Sequence, residues 1–259
     1  MTTIQKQVKR IVVKLGSSQI VDSKLRLKTA VIQNLARRVA ALRKQNVDVV
    51  LVSSGAIALG MKELGEHKRP VELEALQARA AIGQATLMHV YSKIFKTVQL
   101  KCAQVLLTWD DLHNQARKVN ASHTLNALLK AGVVPIINEN DTTSTEEIKF
   151  GDNDKLSAMV AELLHAQRLI LLSDVEGFLN DKKELMPEIK EITPEIVTMS
   201  GGTLNIQVAR GGMRAKIDAV QIATNAGIPC IIASGSNPNV LPFVIKGEPV
   251  GTYFPAKDT

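Results

Sequence analysis

The chain has 259 residues, of which 45% are hydrophobic and 22% are charged, so it can bury a substantial core and is not a disordered chain. This length allows one large α/β domain or two small ones. The net charge of +7 fits a nucleic-acid binder or an enzyme for anionic substrates, and the low aromatic content of 3% with scattered basic residues favours the enzyme.

The sequence predicts a cytoplasmic protein that binds neither membranes nor nucleic acid. Residues 1–10 are polar, and the apolar run at 11–13 is too short for a secretory signal. Apolar runs stay well below the ~18 residues of a membrane span. Cys102 and Cys230 lie far apart in strand-like runs, which favours buried free thiols in a reducing compartment.

Short apolar runs rich in β-branched residues alternate with helical patterns along the chain. The predicted strands are residues 10–15, 48–52, 102–107, 133–137, 169–172 and 229–233. Several of these runs are apolar throughout, as expected for strands that are covered on both faces. The alternation predicts an α/β fold, a three-layer α/β/α sandwich with a mainly parallel central sheet.

Apolar stripes at helical spacing predict core-facing helices between these strands. The first stripe consists of Leu27, Val31, Leu35, Val39 and Leu42. The second stripe consists of Leu156, Met159, Val160, Leu163 and Leu164. The charged segment 181–194, with its two prolines, predicts a loop or hairpin. Because there is neither an internal repeat nor a long linker, we expect one domain, 1–259, with two lobes that meet near 165–172.

A long helix is predicted at residues 72–98. Its apolar stripe consists of Leu73, Leu76, Ala80, Gly83, Leu87, Val90 and Ile94. The small residues Ala80 and Gly83 would let another helix approach closely. Two interpretations are equally supported: a coiled-coil-like seam against a partner subunit, or a core helix that packs within its own chain.

Polar, glycine-bearing segments follow four of the predicted strands. They are residues 14–18, 53–56, 138–154 and 173–177. A fifth segment, 210–216, opens a helix with paired glycines followed by Lys216. Glycines and helix starts present backbone N–H groups to anions, and lysines add positive charge. Taken singly, each segment is also explained by a solvated lysine, an N-cap, a tight turn or a basic loop.

Taken together, these segments predict a phosphoryl-transfer site. The common nucleotide-binding, zinc and serine-hydrolase motifs are absent from the sequence. The acidic segment 138–154 holds neither Cys nor His, so its side chains do not suit a transition-metal site. Carboxyl ends of parallel strands meet at one edge of a sheet. Two lysines, several N–H groups and a carboxylate cluster at that edge match what phosphoryl transfer requires.

The order of these motifs resembles that of the amino acid kinase family over essentially the whole chain. The matching segments are residues 13–17, 53–58, 137–141, 147–154 and 211–213 with Lys216. The double acidic motif is similar to that of the branch that phosphorylates glutamate, whereas the other motifs are shared more widely. The resemblance implies the amino acid kinase fold, with a lobe at about 1–165 that binds glutamate and a lobe at about 166–259 that binds ATP.

The activity implied by the resemblance is ATP-dependent phosphorylation of the side-chain carboxylate of L-glutamate, in proline biosynthesis, with Mg²⁺ carried mainly by the ATP phosphates. The implied catalytic residues are Lys14, Lys216 and Asp154, of which Asp154 orients the lysines. The implied glutamate-binding residues are Ser54, Asp141 and Asn153. The implied ATP-binding residues are Lys14, Gly16, Ser173, Asp174, Arg210, Gly211, Gly212, Met213 and Lys216. A kinase for another small acid and a catalytically silent nucleotide-binding regulator stay open as alternatives.

The resemblance also implies partners and shows departures. It implies feedback by L-proline. The stripe of helix 72–98 predicts a homo-oligomer (dimer or tetramer), and the lability of the product in water predicts its hand-off to glutamyl phosphate reductase. Arg210 stands where the family usually has Thr, and residues 180–182 replace an Asp-Pro pair that tends to follow Gly177. Many bacterial members carry an RNA-binding-like C-terminal domain, which we expect to be absent because the chain stops at Thr259.

Overall fold

The structure, a computed structural model, describes residues 8–144, 153–201 and 212–257. Within these residues the strands are β1 (Arg10–Leu15), β2 (Asp48–Val52), β3 (Lys101–Leu107), β4 (Val133–Glu139), β5 (Arg168–Ser173), β6 (Cys230–Ser234) and β7 (Thr252–Phe254). They form one sheet in the order β3-β4-β2-β1-β5-β6-β7. Strands β1 to β6 run parallel to one another, and β7 runs antiparallel to β6.

Helices cover both faces of this sheet. They are α1 (Ser17–Ile20), α2 (Thr29–Lys44), α3 (Ala56–Glu63), α4 (Leu73–Thr97), α5 (Trp109–His113), α6 (Gln115–Lys130), α7 (Asn153–Leu163), α8 (Pro194–Ser200), α9 (Met213–Asn225) and α10 (Val240–Lys246). One hydrophobic cluster joins α6 to α9 with one face of the sheet, and another joins α2, α3, α4 and α10 with the other face. Neighbouring strand residues such as Val12 and Val13 therefore point into different clusters. None of the helices in the described ranges is long and apolar enough to cross a membrane.

The predicted α/β sandwich with a mainly parallel sheet is confirmed. All six predicted strands are present, and β1 and β2 have the predicted bounds. Strand β4 extends two residues further than predicted, so that Asn138 and Glu139 are held by the sheet rather than by a loop. Strand β7 was not predicted, because a three-residue antiparallel edge strand has too short a pattern to distinguish it from a turn.

The predicted helical stripes are confirmed, except at three of their residues. Helix α2 begins at Thr29, so Leu27 lies outside it, in an antiparallel bridge with Val21. Ile32 occupies the core position that was assigned to the half-buried Val31. In α7 the second stripe faces the core, although Met159 is only partly buried.

The small-residue stripe of α4 is filled by α3 of the same chain. A Cβ atom added to Gly83 would lie 1.9 Å from the carbonyl oxygen of Ala56, and one added to Gly60 would lie 1.9 Å from that of Arg79. Such backbone-to-backbone contact leaves no room for a second subunit. For this stripe the intrachain interpretation is therefore correct, and a seam with a partner subunit along it is wrong.

The two predicted lobes share one continuous sheet. Strand β1 pairs with β5 in register from Ile11 opposite Arg168 to Leu15 opposite Leu172. After β5, residues 179–185 form a tight hairpin-like turn closed by an antiparallel bridge. This agrees with the loop or hairpin predicted for 181–194. Because β1 and β5 are central neighbours, residues at their carboxyl ends are held at a fixed separation. The division into a glutamate lobe and an ATP lobe stays a prediction.

Candidate active site

A cavity of about 370 Å³ opens at the carboxyl ends of the central strands. Its walls come from the segments after β1, β2, β4 and β5 and from the first turns of α7 and α9. This is the edge at which parallel α/β sheets bind ligands. The structure thus brings together polar segments that are separated by up to about 200 residues in the chain.

Two lysines share one carboxylate at the floor of this cavity. Asp154 Oδ1 lies 2.6 Å from Lys14 Nζ, and Asp154 Oδ2 lies 3.4 Å from Lys216 Nζ. Both lysines are 4% exposed, and Asp154 is 1% exposed. With two ammonium groups and one carboxylate, the group carries an excess positive charge in a region shielded from water. Such a site favours the binding of an anion.

Each member of this group is placed by regular structure. Lys14 belongs to the central strand β1, Asp154 lies in the first turn of α7, and Lys216 lies in the first turn of α9. The backbone N–H of Gly16 donates to the carbonyl oxygen of Leu172 at 3.3 Å and ties the ends of β1 and β5 together. The start of α9 adds the positive end of a helix dipole to the same wall.

The charge state of Lys216 depends on what occupies the cavity. Burial lowers the pKa of its ammonium group, the nearby charge of Asp154 raises it, and repulsion by Lys14 lowers it again. An added anion would act in the same direction as Asp154. Binding of a phosphate would therefore stabilise the charged form of Lys216 at the place where charge is needed.

Asn153 offers an unsatisfied acceptor. Its side-chain nitrogen, which carries two hydrogens, lies within hydrogen-bonding distance of three acceptors: the carbonyl oxygen of Ser53 at 3.1 Å, Ser54 Oγ at 3.0 Å and Asn138 Oδ1 at 3.0 Å. The side chain is 8% exposed, and within the described residues its Oδ1 atom is buried without a hydrogen-bond partner. A buried acceptor left unpaired costs about 1–3 kcal/mol, so a ligand N–H at this position would be favoured.

A carboxyl group with a raised pKa faces the same cavity. Burial raises the pKa of Asp141 to about 7, repulsion by the carboxylate of Glu139 adds to the rise, and the positive charge of Arg69 opposes it. All three residues line the cavity. A ligand ammonium beside Asp141 would favour its ionised form, because opposite charges stabilise each other. Asp141 and Asn153 Oδ1 together suit a primary amine.

Comparison with known proteins identifies a family for most of the chain. The family model described as the amino acid kinase family matches residues 9–234. The chain belongs to this family.

Relatives within the family are similar over nearly all of this amino acid kinase. The glutamate 5-kinase of Carboxydothermus hydrogenoformans is 46% identical over 261 residues, which covers 98% of this chain and 70% of the relative. The glutamate 5-kinase of Clostridium tetani is 44% identical over 257 residues and is covered to 97% and 96% respectively. The crystal structure of UMP kinase from Bacillus anthracis has a TM-score of 0.63 at 15% identity, with 98% of both chains covered, and supports the fold alone.

The remaining predicted ATP-site residues of this amino acid kinase divide into three groups. Gly16, Ser173, Asp174 and Gly212 line the cavity, and Ser173 Oγ donates to Asp174 Oδ1 at 3.1 Å. Met213 instead packs against the hydrophobic cluster of α6 to α9 and does not line the cavity. Arg210 and Gly211 lie outside the described residues, as do Gly151 and Asp152.

Several residues of the cavity wall were not predicted from the sequence. Asn138 and Glu139 were assigned to the acidic motif without a role, although the extension of β4 holds both at the cavity. Arg69 lies between α3 and α4 in a segment without a recognisable motif, so only the fold reveals it. Gly55 has φ of 104° and forms the N-cap of α3 without a side-chain hydrogen bond, so capping by Ser54 is excluded as its role.

Proposed function

We propose that this chain transfers the γ-phosphoryl group of ATP to the side-chain carboxylate of L-glutamate, giving L-glutamyl 5-phosphate in the first step of proline biosynthesis. The observation that carries this proposal is the buried Lys14–Asp154–Lys216 group beside an amine-binding corner in one cavity. The family assignment supports the kinase activity, and the two relatives named glutamate 5-kinase support the substrate.

The nucleophile in this reaction needs no general base. A side-chain carboxylate has a pKa of roughly 4.3 and is ionised at neutral pH. The difficulty is repulsion between this anion and the phosphates, which the ammonium groups of Lys14 and Lys216 offset. Asp154 holds the two lysines in place and neutralises one of their charges. Mg²⁺ on the ATP phosphates supplies further positive charge, and the exposed carboxylate of Asp174 at the cavity rim is an oxygen donor of the kind Mg²⁺ prefers.

The glutamate subsite follows from charge complementarity. We assign the α-ammonium group to Asp141 and to the unpaired Oδ1 atom of Asn153. The α-carboxylate fits the wall formed by Ser54 and the start of α3, where the backbone after Gly55 faces the cavity. This places the reactive carboxylate toward the lysines. The same arrangement excludes acids without an amino group from the favourable contact with Asp141.

ATP consumption with a panel of acids tests the proposal. We expect turnover with L-glutamate and little with L-aspartate, carbamate or a phosphorylated alcohol. Asn153→Ala should raise the KM for glutamate about tenfold or more, because a buried hydrogen bond to a charged group is worth roughly 1.5–3 kcal/mol. Asn126→Ala on the exposed surface of α6 is the matched control and should leave KM unchanged. Turnover with another acid alone, or an unchanged KM in Asn153→Ala, would contradict the proposal.

Glutamate binding should depend on pH through Asp141. Since the pKa of this carboxyl is raised to about 7, it is largely protonated below that value and pairs poorly with the ammonium group. We expect the KM for glutamate to fall as the pH rises through about 7. Glu139→Gln removes the repulsion and should move this transition to lower pH, whereas Asp141→Asn should abolish it. The measurement is KM between about pH 5.5 and about pH 8.5, with the KM for ATP as the internal control.

The same carboxyl affects stability with a defined sign. Its pKa is higher in the folded chain than the ordinary value of 3.8 for an aspartate, so the folded state binds the proton more tightly than the unfolded state. Its favourable contribution is therefore present at low pH and is lost as the pH rises through about 7. Binding of glutamate would reverse this loss.

The remaining partner predictions concern other molecules and stay proposals. Inhibition by L-proline and hand-off to glutamyl phosphate reductase are tested by assays with proline and by trapping of released product. A homo-oligomer through helix 72–98 would have to use the outward face of α4, where Ile82 is 38% exposed. Sedimentation of wild-type protein and of Ile82→Lys tests this contact, and equal masses for both would contradict it.

A further inference from the structure

Four carboxamides connect the edge of the sheet to the proposed glutamate subsite. Gln84 Nε2 on α4 donates to Gln104 Oε1 on β3 at 3.2 Å. Asn138 Nδ2 on β4 donates to Gln84 Oε1 at 2.9 Å, and Asn153 Nδ2 on α7 donates to Asn138 Oδ1 at 3.0 Å. Every link runs in the same direction, with each nitrogen pointing toward β3 and each oxygen toward the cavity. We call these four residues the amide chain.

Backbone groups fix the direction of the amide chain at its inner end. The backbone N–H of Glu139 donates to Asn138 Oδ1 at 3.0 Å, and the carbonyl oxygen of Ser53 accepts from Asn153 Nδ2 at 3.1 Å. A backbone N–H can only donate and a backbone carbonyl can only accept. Turning either asparagine over would therefore face like groups toward each other in a place where both are buried.

We infer that Gln84 and Gln104 are positioning residues for the substrate ammonium group. They hold Asn138 and, through it, Asn153 in the orientation that directs Asn153 Oδ1, an acceptor, at the cavity. This inference rests on the proposed function and extends it to two residues that do not line the main cavity. Through this chain, residues at the edge of the sheet cause the subsite to bind a hydrogen-bond donor of the ligand rather than an acceptor.

The burial of the amide chain makes its direction matter. Asn138 is 2% exposed and Gln84 is 8% exposed, so neither can replace a lost partner by water at low cost. Gln104 lies on the exposed side of the edge strand β3. Substitution at Gln104 therefore changes the hydrogen-bonding character of the outer end without disturbing a packed core.

Two variants at Gln104 test the direction of the hydrogen bonds in the amide chain: Gln104→Glu should retain it, and Gln104→Lys should reverse it. Gln104→Glu keeps an acceptor for Gln84 Nε2. Gln104→Lys supplies only donors, which favours rotation of the Gln84 carboxamide and places its nitrogen against Asn138 Nδ2. We expect the KM for L-glutamate to stay within about twofold of wild type in Gln104→Glu and to rise about fivefold to tenfold in Gln104→Lys. The kcat and the KM for ATP should stay within about twofold in both.

Further measurements separate the effect of amide orientation on KM from the effect of the introduced charge and from general damage to the subsite. Through-space attraction of the introduced ammonium group for the net anionic substrate would lower KM in Gln104→Lys, the opposite of the expected change. Glutarate, which lacks the α-ammonium group, should inhibit wild type and Gln104→Lys with Ki values within about twofold of each other. Gln84→Met, of similar volume, should raise the KM for glutamate about tenfold. The comparison of Gln104→Glu with Gln104→Lys tests the inference independently of this variant.

The side-chain amide signals of Asn138 and Asn153 in NMR spectra provide a readout that does not depend on the substrate. We expect both to shift in Gln104→Lys and to stay unchanged in Gln104→Glu. Equal spectra and equal KM values for the two variants would overturn the inference while leaving the proposed function intact. A wild-type protein without glutamate turnover would overturn the proposed function, and the spectra would still decide whether the amide chain orients Asn153.

Discussion

Lys216→Ala is expected to lower kcat about 100-fold to 1,000-fold, the effect of removing one donor that stabilises charge in a transition state. The ammonium group lies 3.4 Å from Asp154 Oδ2 at the start of α9, where it faces the cavity. Its loss leaves Lys14 as the one buried cation of the group. Because the substrate carboxylate needs no activation, the loss of charge stabilisation falls mainly on the transfer step.

Steady-state kinetics with saturating glutamate and ATP measure this effect on kcat. Lys246→Ala, at an exposed lysine at the end of α10 that does not line the cavity, is the matched control and should retain wild-type kcat. Folding should be preserved, since the pair of Lys14 and Asp154 at 2.6 Å persists. A kcat within about threefold of wild type in Lys216→Ala would remove this residue from the proposed mechanism.

Asp154→Ala is expected to destabilise the protein by about 3–5 kcal/mol, because removing one partner of a buried ion pair leaves an uncompensated charge. Here two ammonium groups, of Lys14 and Lys216, would be left 4% exposed without their shared carboxylate. The residue also loses its favourable interaction with the first turn of α7. Catalysis should fail as well, since the lysines would no longer be held together.

Chemical denaturation of wild type and variants measures this loss of unfolding free energy. Asp218→Ala, which breaks partly exposed ion pairs with Lys155 and Arg214, is the control and should cost about 0–1 kcal/mol. Adding Lys216→Met to Asp154→Ala should restore part of the stability, because only one buried cation then remains. Equal losses of unfolding free energy for Asp154→Ala and Asp218→Ala would contradict the expectation that the two buried ammonium groups destabilise the protein without their shared carboxylate.

The position of the candidate site could be predicted from the sequence because the sheet is mainly parallel. The segments after β1, β2, β4 and β5 could be expected to meet, because parallel strands present their carboxyl ends at one edge. The burial of Lys14 and Lys216 around Asp154 agrees with that expectation. Met213 was predicted at the ATP site from its neighbours in the motif; its side chain packs against the hydrophobic cluster, and its contact with ATP stays a prediction. A motif assigns a segment to a site but not each side chain within it.

Other features depended on partners distant in the sequence. The stripe of α4 has the same 3-4 spacing whether it packs on α3 or on another subunit, and only the contact of Gly83 with the backbone of Ala56 separates the two. The orientation of Asn153 depends on Asn138, which is 15 residues earlier in the chain, and through it on α4 and β3. Arg69 reaches the cavity without any local pattern.

The sequence by itself determined the alternation of strands and helices, the parallel sheet and the strand ends that carry polar groups, because hydrophobic period and turn residues are local properties. Only the tertiary structure decided which face of α4 is covered, how the carboxamides are oriented and how far burial raises the pKa of Asp141. These depend on distances between groups that lie far apart in the chain, and on the water that the fold excludes from around them.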